Sequence, residues 1–177
     1  MNAEQLNEEL FDAVKKGELE KVERLIKNNP TKVDVKNDLG RTPLMIATMN
    51  GNYEMAKLLI NSGANVNFKD CAGWSLLFRA INNHRKEIVE LLINSGANLE
   101  EELILFNRDK QVNEYLTPLM FASSLGYTDI VELLIEKFTR NTINAQNRLG
   151  LTALDYSTNL EVTSILRKYG GKYGKEL

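Results

Sequence analysis

The chain has 177 residues, 43% of them apolar and 26% charged, which suits one ordinary domain or a short repeat array and excludes wholesale disorder. Its 22 basic and 24 acidic residues give a net charge of −2, which favours neither a nucleic acid nor an anionic membrane as a partner. A single cysteine and a single histidine exclude an internal disulfide, a Cys-rich zinc site and a multi-histidine metal cluster.

The N-terminal part of the chain is a polar copy of a segment that recurs four more times. Leu10-Phe11-Asp12-Ala13, Gly17 and Arg24-Leu25-Ile26 outline this copy, and its many charged residues suit a unit with one face in solvent. The first residues lack a basic stretch followed by an apolar one, and the apolar runs of the chain are only a few residues long. We therefore expect neither a secretory signal nor a membrane span.

The four later copies begin with similar triplets, at Thr42-Pro43-Leu44, Ser75-Leu76-Leu77, Thr117-Pro118-Leu119 and Thr152-Ala153-Leu154. Three of them continue into Ala-Lys-Leu-Leu-Ile at 56–60 and Val-Glu-Leu-Leu-Ile at 89–93 and 131–135. Apolar residues three and four apart in these segments predict two short helices in each copy, followed by an extended turn. Because neither helix is long enough to be stable alone, each copy must stack on its neighbours.

Start and stop signals mark the predicted helices. The hydroxyl of Thr42 can cap the first helix, and Pro43 follows at the position where a missing N–H costs nothing. Gly51 stands between the two helices, and Gly63 stands where the second should end with a positive φ. The equivalent residues in other copies are Thr117, Pro118, Gly126 and Gly96.

The step from the third to the fourth copy is 42 residues, and the extra residues lie at 103–111. Doubling such a connection should cost only about 0.6 kcal/mol of closure entropy, so its presence alone does not prove a use. Leu103 to Phe106 form an unusually apolar run for a free loop. The run either adds a helical turn that packs locally or forms an extension that binds a partner.

These copies resemble ankyrin repeats, since Gly40-Arg41-Thr42-Pro43-Leu44 through Gly63-Ala64-Asn65-Val66-Asn67 follows the family pattern. The resemblance implies an all-α ankyrin-repeat solenoid of stacked helix-turn-helix units with β-hairpin-like turns. It also implies a single domain over residues 1–177, with repeats at about 5–36, 37–69, 70–102, 112–146 and 147–171. The histidine that usually follows Thr-Pro-Leu is replaced by Met45, Phe78, Met120 and Asp155.

No catalytic constellation is present in the sequence. It lacks a Gly-x-Ser-x-Gly motif, a phosphate-binding glycine-rich loop and a His-Glu-x-x-His motif. We therefore predict that the chain is not an enzyme and has no catalytic residue, cofactor or metal. His84 replaces the inter-helix glycine and should be a surface turn residue, and Cys71 should be an exposed thiol at a turn tip.

The resemblance implies that a concave face binds another protein through the turn tips and the exposed side of the first helices. Matched position by position, the partner-binding residues are Leu39, Arg41, Met49, Asn50, Cys71, Trp74, Asn82, Asn83, Glu114, Leu116, Leu125, Arg148, Leu149 and Leu151. Trp74 stands where the previous copy has Arg41, and exposed Trp is a common binding hot spot. Its ring either points outward or folds back over the neighbouring tip near Arg41 or Leu116.

Three functions fit this architecture: a scaffold or adaptor, a dedicated inhibitor of a partner enzyme, or a subunit that shares an active site with its partner. Five repeats leave no room for an accessory domain, which favours the first two. We predict a cytoplasmic monomer that binds a protein and neither nucleic acid nor membrane, with export into a host cell as the alternative location. The sequence does not identify the partner.

Overall fold

The structure of the chain is a computed structural model, which describes residues 3–29, 33–107, 112–137 and 142–177. Within these ranges the secondary structure consists of nine α-helices, one antiparallel hairpin and a short 3₁₀ turn at Gly174–Glu176. In chain order the elements are α1 Ala3–Lys16, α2 Leu19–Asn28, α3 Pro43–Asn50, α4 Tyr53–Asn61, α5 Leu76–Asn82, α6 Lys86–Asn94, β1 Leu103–Asn107, β2 Val112–Leu116, α7 Pro118–Leu125, α8 Thr128–Lys137 and α9 Leu160–Lys168. The predicted all-α repeat fold is confirmed.

The predicted helix signals lie where the sequence places them. The Thr42 hydroxyl accepts a hydrogen bond from the Met45 amide at 3.3 Å, and Pro43 is the first residue of α3. Gly51 ends α3 with a φ of 72°. His84 takes the corresponding position after α5 with a φ of 52° and is exposed, so its prediction as a surface turn residue is confirmed.

The chain divides into two compact units, Met1–Ala97 and Asn98–Leu177. In the first unit the pairs α1/α2, α3/α4 and α5/α6 stack, with α3 between α1 and α5 and with α4 between α2 and α6. Met45 and Phe78, which replace the family histidine, are fully buried in this unit. Burial of each such side chain contributes about 1.5–3 kcal/mol, so stacking rather than polar bonding between turns holds these positions.

The second unit contains the hairpin, the pair α7/α8 and α9, which packs on α8. The first helix predicted for the last copy is absent, because residues 153–156 form turns. Here the hydroxyl of Thr152 donates to the Lys172 carbonyl at 2.6 Å, and the Asp155 carboxylate accepts from the Gly174 amide at 2.7 Å. These bonds hold residues 152–155 against the C-terminal residues, and no helix forms in this segment.

The predicted insertion is a β-hairpin, so the expectation of an added helical turn is wrong. The pairing is Leu103 with Leu116, Ile104 with Tyr115 and Phe106 with Asn113. Leu103 and Leu116 are each 2% exposed, whereas Ile104 and Phe106 on the other face are 55% and 57% exposed. Alternation of this kind is the strand signature, and it explains why the apolar run is only partly buried. Residues 108–111 of the insertion lie outside the described residues.

The predicted single domain over residues 1–177 and the repeat bounds given above stay a prediction.

Candidate protein-binding surface

Among the described residues, three turns share one hydrogen-bonded construction, which we call the turn frame. The frame begins at Asn37, Asp70 and Asn147, whose side-chain oxygen accepts two main-chain amides further along the turn. In the first turn the Asn37 oxygen accepts from Leu39 and Arg41, each at 3.0 Å. The same bonds, at 2.9–3.0 Å, reach Ala72 and Trp74 in the second turn and Leu149 and Leu151 in the third. Asn and Asp favour such turns because their side chains bond their own main chain.

The first two turns are joined directly by the main chain. The Cys71 amide donates to the Leu39 carbonyl at 3.1 Å. Between them, Gly40 has a φ of 70°, and a Cβ there would lie 2.8 Å from the Cys71 sulfur and 2.9 Å from its amide nitrogen. The close approach of the two turns therefore requires glycine at position 40. Leu39, 54% exposed, and Cys71, also exposed, lie side by side at this surface.

Trp74 is half-buried, and its ring contacts Arg79 on α5 rather than standing free. The guanidinium carbon of Arg79 lies 4.6 Å from the ring centroid. The same guanidinium forms an ion pair with Asp70, whose side chain is 2% exposed. Asp70 therefore serves both the turn frame and the arginine that supports the indole.

Arg41 occupies the position of Trp74 in the first turn and is also half-buried. Its Nε is removed from solvent and has no hydrogen-bond partner. Arg79 differs from Arg41 because its guanidinium contacts both the Asp70 carboxylate and the Trp74 ring.

The third turn presents a second arginine on an aromatic ring. Arg148 lies 4.6 Å from the Tyr115 ring centroid, and its Nε donates to Glu102 at 3.2 Å. The Asn147 amide nitrogen donates to the Tyr115 carbonyl at 2.8 Å and to the Tyr156 hydroxyl at 3.1 Å. Burial raises the pKa of Tyr156 above its ordinary value, although the bond from Asn147 opposes that rise.

The residues predicted to form the turn tip of the fourth repeat lie in a β-strand. Glu114 and Leu116 lie in β2, where Leu116 pairs with Leu103 and is 2% exposed. The prediction of Leu116 as a partner-binding residue is therefore wrong, because its side chain packs inside the second unit. Matching by position failed here since the nine-residue excess extends the turn into a hairpin.

The other predicted site residues are all at least partly accessible. The exposed ones are Leu39, Asn50, Cys71, Asn82, Arg148 and Leu149. The half-buried ones are Arg41, Met49, Trp74, Asn83, Glu114, Leu125 and Leu151. The residues of the first unit in this set lie on the joined turns and at, or directly after, the C-terminal ends of α3 and α5.

Arg79 was not among the site residues predicted from the sequence. It stands within the apolar run of α5, where α3 has Ile46 and α7 has Phe121. A charged residue at a core-like position requires a partner, and Asp70 lies nine residues before it. A charged residue at a position that is apolar in the other copies was therefore the sequence signal that could have identified Arg79.

The described ranges contain no group of three or more His, Cys, Asp or Glu side chains that could hold a metal ion. Nor does any helix in this part of the chain have the length and apolar character needed to cross a membrane.

A family model for ankyrin repeats (3 copies) matches residues 10–103 and 99–176, and the chain therefore belongs to the ankyrin repeat family. Members of this family generally act as protein–protein interaction modules and are generally non-catalytic. No curated protein matches the sequence.

Proposed function

We propose that the chain is a non-catalytic scaffold or adaptor that binds a partner protein through its turn tips and the exposed positions of its first helices. The observation that carries the proposal is the turn frame, which recurs three times among the described residues. Apolar side chains of these turns are exposed to solvent. Leu39 and Leu149 are 54% and 47% exposed at equivalent positions of two such turns. The proposed contact residues are the predicted set without Leu116.

The structure of the turns favours binding because their conformation is fixed before a partner arrives. Hydrogen bonds accepted by the side-chain oxygens of Asn37 and Asp70 hold the first two turns, and the main-chain bond from Cys71 to Leu39 joins them. A surface ordered in this way loses less conformational entropy on binding than a free loop does. Trp74 adds a large aromatic side chain to it, whose ring is held in place by Arg79.

The test is to measure binding after Trp74→Ala. Partners captured with the wild-type chain are identified, and the dissociation constant of the purified complex is then measured by calorimetry. We expect Trp74→Ala to weaken the complex by about thirtyfold, which corresponds to the roughly 2 kcal/mol typical of a hot spot.

The matched control is Tyr53→Ala. Tyr53 is an exposed aromatic residue on α4 with Lys57 5.9 Å from its ring centroid, away from the turns. We expect this variant to bind normally. An unchanged dissociation constant for Trp74→Ala, or a large loss of stability in that variant, would contradict the proposal.

A dedicated inhibitor would use the same surface. Adding the chain to an assay of the partner's own activity separates the two functions, because an inhibitor abolishes turnover and an adaptor leaves it intact. We also propose that the chain is a cytoplasmic monomer, and light scattering of the purified protein tests the oligomeric state.

A further inference from the structure

Residues 170–177, which we call the strap, lie along the last copy of the second unit. Lys172 is held there through its main chain. Its amide donates to the Asn144 side-chain oxygen at 2.7 Å, and its carbonyl accepts from the Thr152 hydroxyl at 2.6 Å. Its side chain is exposed. Main-chain bonds of this kind hold an extended segment whatever its side chains are.

Gly174 is held in the same way two residues further on. Its amide donates to the Asp155 carboxylate at 2.7 Å, and its carbonyl accepts from the Gln146 side chain at 3.1 Å. A Cβ on this residue would collide with the Gly150 carbonyl oxygen, so the site requires glycine here. Tyr173, which precedes it, has extended main-chain angles of φ −68° and ψ 151°. The site therefore binds the main chain of alternate residues, as a neighbouring β-strand does.

Arg167, at the end of α9, contacts two side chains of the strap. Its guanidinium carbon lies 4.7 Å from the Tyr173 ring centroid. The same guanidinium donates two hydrogen bonds to the Glu176 carboxylate, at 2.9 and 3.1 Å. A planar guanidinium can stack on a ring and bind both oxygens of a carboxylate. The strap is therefore selected by an aromatic residue, a glycine directly after it, and an acidic residue two positions later.

The strap occupies the place that a following loop has in the first unit. There the Asp34 carboxylate, three residues before a turn frame, accepts from the Asn65 amide at 3.1 Å. Asn67, at the same position of the next copy, donates to the Gly96 carbonyl at 3.1 Å. Asn144 is the equivalent residue of the second unit, and it makes both kinds of bond with the strap. A short segment thus takes the position where a further copy would stack.

Little apolar surface anchors the strap. Gly171 and Gly174 are its buried residues and have no side chains to pack, whereas the side chain of Leu177 is 58% exposed. A segment with few buried apolar contacts opens locally at a small part of the global unfolding free energy. The strap can therefore leave its site while the rest of the second unit stays folded.

We propose that the strap is the displaceable occupant of a peptide-binding site, whose external ligand is an extended partner segment of the same pattern. Such a segment carries an aromatic residue, then a glycine, and an acidic residue two positions after the glycine. The site consists of Asn144, Gln146, Thr152, Asp155 and Arg167. Because the strap is tethered, it competes at an effective concentration on the order of millimolar and closes the site to weak ligands. The inference goes beyond the proposed function, since none of these five residues belongs to the surface proposed above.

The test uses the full chain and a fluorescein-labelled peptide of the strap sequence, Gly-Gly-Lys-Tyr-Gly-Lys-Glu-Leu, and follows binding by fluorescence anisotropy. Wild type is compared with two variants that loosen the strap. Gly174→Ala introduces the colliding Cβ, and Glu176→Gln removes the charge paired with Arg167. Leu177→Ala is the matched control, because it changes an exposed side chain of the same segment. A second peptide has alanine in place of the glycine that follows tyrosine.

We expect the peptide to bind Gly174→Ala about tenfold or more tightly than wild type, because the internal competitor is weakened. Glu176→Gln should change the dissociation constant in the same direction, and Leu177→Ala should leave it unchanged. The alanine peptide should bind none of the proteins measurably. Adding Arg167→Met to Gly174→Ala should abolish the gain in affinity, because the peptide then loses the contacts of its tyrosine and glutamate.

Three results would overturn the inference. One is equal affinity of the peptide for wild type and both loosened variants, since the strap would then not compete. Another is the absence of binding to either loosened variant. The third is a wild-type dimer, seen by light scattering, that disappears in Gly174→Ala, because the occupant would then be the strap of a second copy. Thermal unfolding checks that the variants fold, and Glu176→Gln decides the outcome if Gly174→Ala does not. The contribution of Trp74 to partner binding is measured separately, so either proposal can fail alone.

Discussion

The guanidinium of Arg79 lies on the indole of Trp74, with 4.6 Å between the guanidinium carbon and the ring centroid, and is held there by Asp70. The part of the second unit that the structure describes has two comparable arrangements. Arg148 lies between Glu102 and Tyr115, and Arg167 lies between Glu176 and Tyr173. In each case an arginine contacts a ring and pairs with a carboxylate, which fixes the position of an aromatic side chain near the surface.

Asp70→Asn should destabilise the first unit by about 1–3 kcal/mol. Asparagine keeps an oxygen for the turn frame, as Asn37 and Asn147 show, but it leaves the 15% exposed side chain of Arg79 without a counter-charge. The measurement is urea unfolding in a double-mutant cycle with Arg79→Met. The double variant should lose less than the sum of the two single losses, and strictly additive losses would show that the pair does not interact.

Thr48→Val should stabilise the chain by about 1 kcal/mol. The Thr48 hydroxyl on α3 is fully buried and has no hydrogen-bond partner, so replacing it with a methyl group removes an unsatisfied polar atom. The control is Ser123→Ala at the equivalent position of α7. The Ser123 hydroxyl donates to the Leu119 carbonyl at 2.8 Å, so its removal should not stabilise. A lower unfolding temperature for Thr48→Val would contradict the assignment.

Leu103→Ala and Ile104→Ala should differ strongly although they alter adjacent residues. Leu103 is 2% exposed and pairs with Leu116, and its truncation should cost about 2–5 kcal/mol. Ile104 is 55% exposed on the opposite face, and its truncation should cost less than about 0.5 kcal/mol. Thermal unfolding of the two variants checks the hairpin register, because a shift by one residue would reverse the order.

Asp155 should make the second unit sensitive to acid. Burial alone would raise the pKa of its carboxyl, but hydrogen bonds from the Thr152 and Gly174 amides outweigh burial and lower that pKa. Because the folded pKa lies below the unfolded value of about 3.9, the stabilisation is complete above that pH. It is lost as the pH falls through the folded value.

Unfolding free energies of wild type and Asp155→Asn, measured from neutral to acidic pH, test this expectation. The difference between the two proteins should be constant near neutral pH and should shrink below about pH 4. A difference that persists unchanged in acid would show that the carboxylate charge contributes nothing.

Local signals in the sequence were sufficient to predict the repeats. Thr42, Pro43 and Gly51 act within a single turn of chain, so residue type and spacing decide the result. The prediction of a first helix in the last copy was wrong, because Thr152 and Asp155 form hydrogen bonds with residues about twenty positions further along the chain. Contacts of that range leave no mark in the periodicity of a segment.

The candidate surface was predicted less completely for the same reason. Residues on the three turn frames, such as Leu39 and Leu149, were placed correctly at the surface by matching copies. Leu116 was misplaced, since an insertion changes strand pairing and therefore which side of the chain is buried. The contact of Arg79 with Trp74 depends on how a helix meets a turn, which spacing alone does not give.

In the joined turns, the residues that maintain the conformation differ from those whose side chains would contact a ligand. Main-chain atoms and the side chains of Asn37 and Asp70 make every bond of the two frames, so exchange of the side chains at 39, 41, 71, 72 and 74 for any residue other than proline breaks none of them. Gly40 is the exception, since any larger residue would collide with Cys71. A few substitutions could thus give this chain a different ligand while its architecture persists, which makes these positions the natural ones to randomise when new binders are engineered on it.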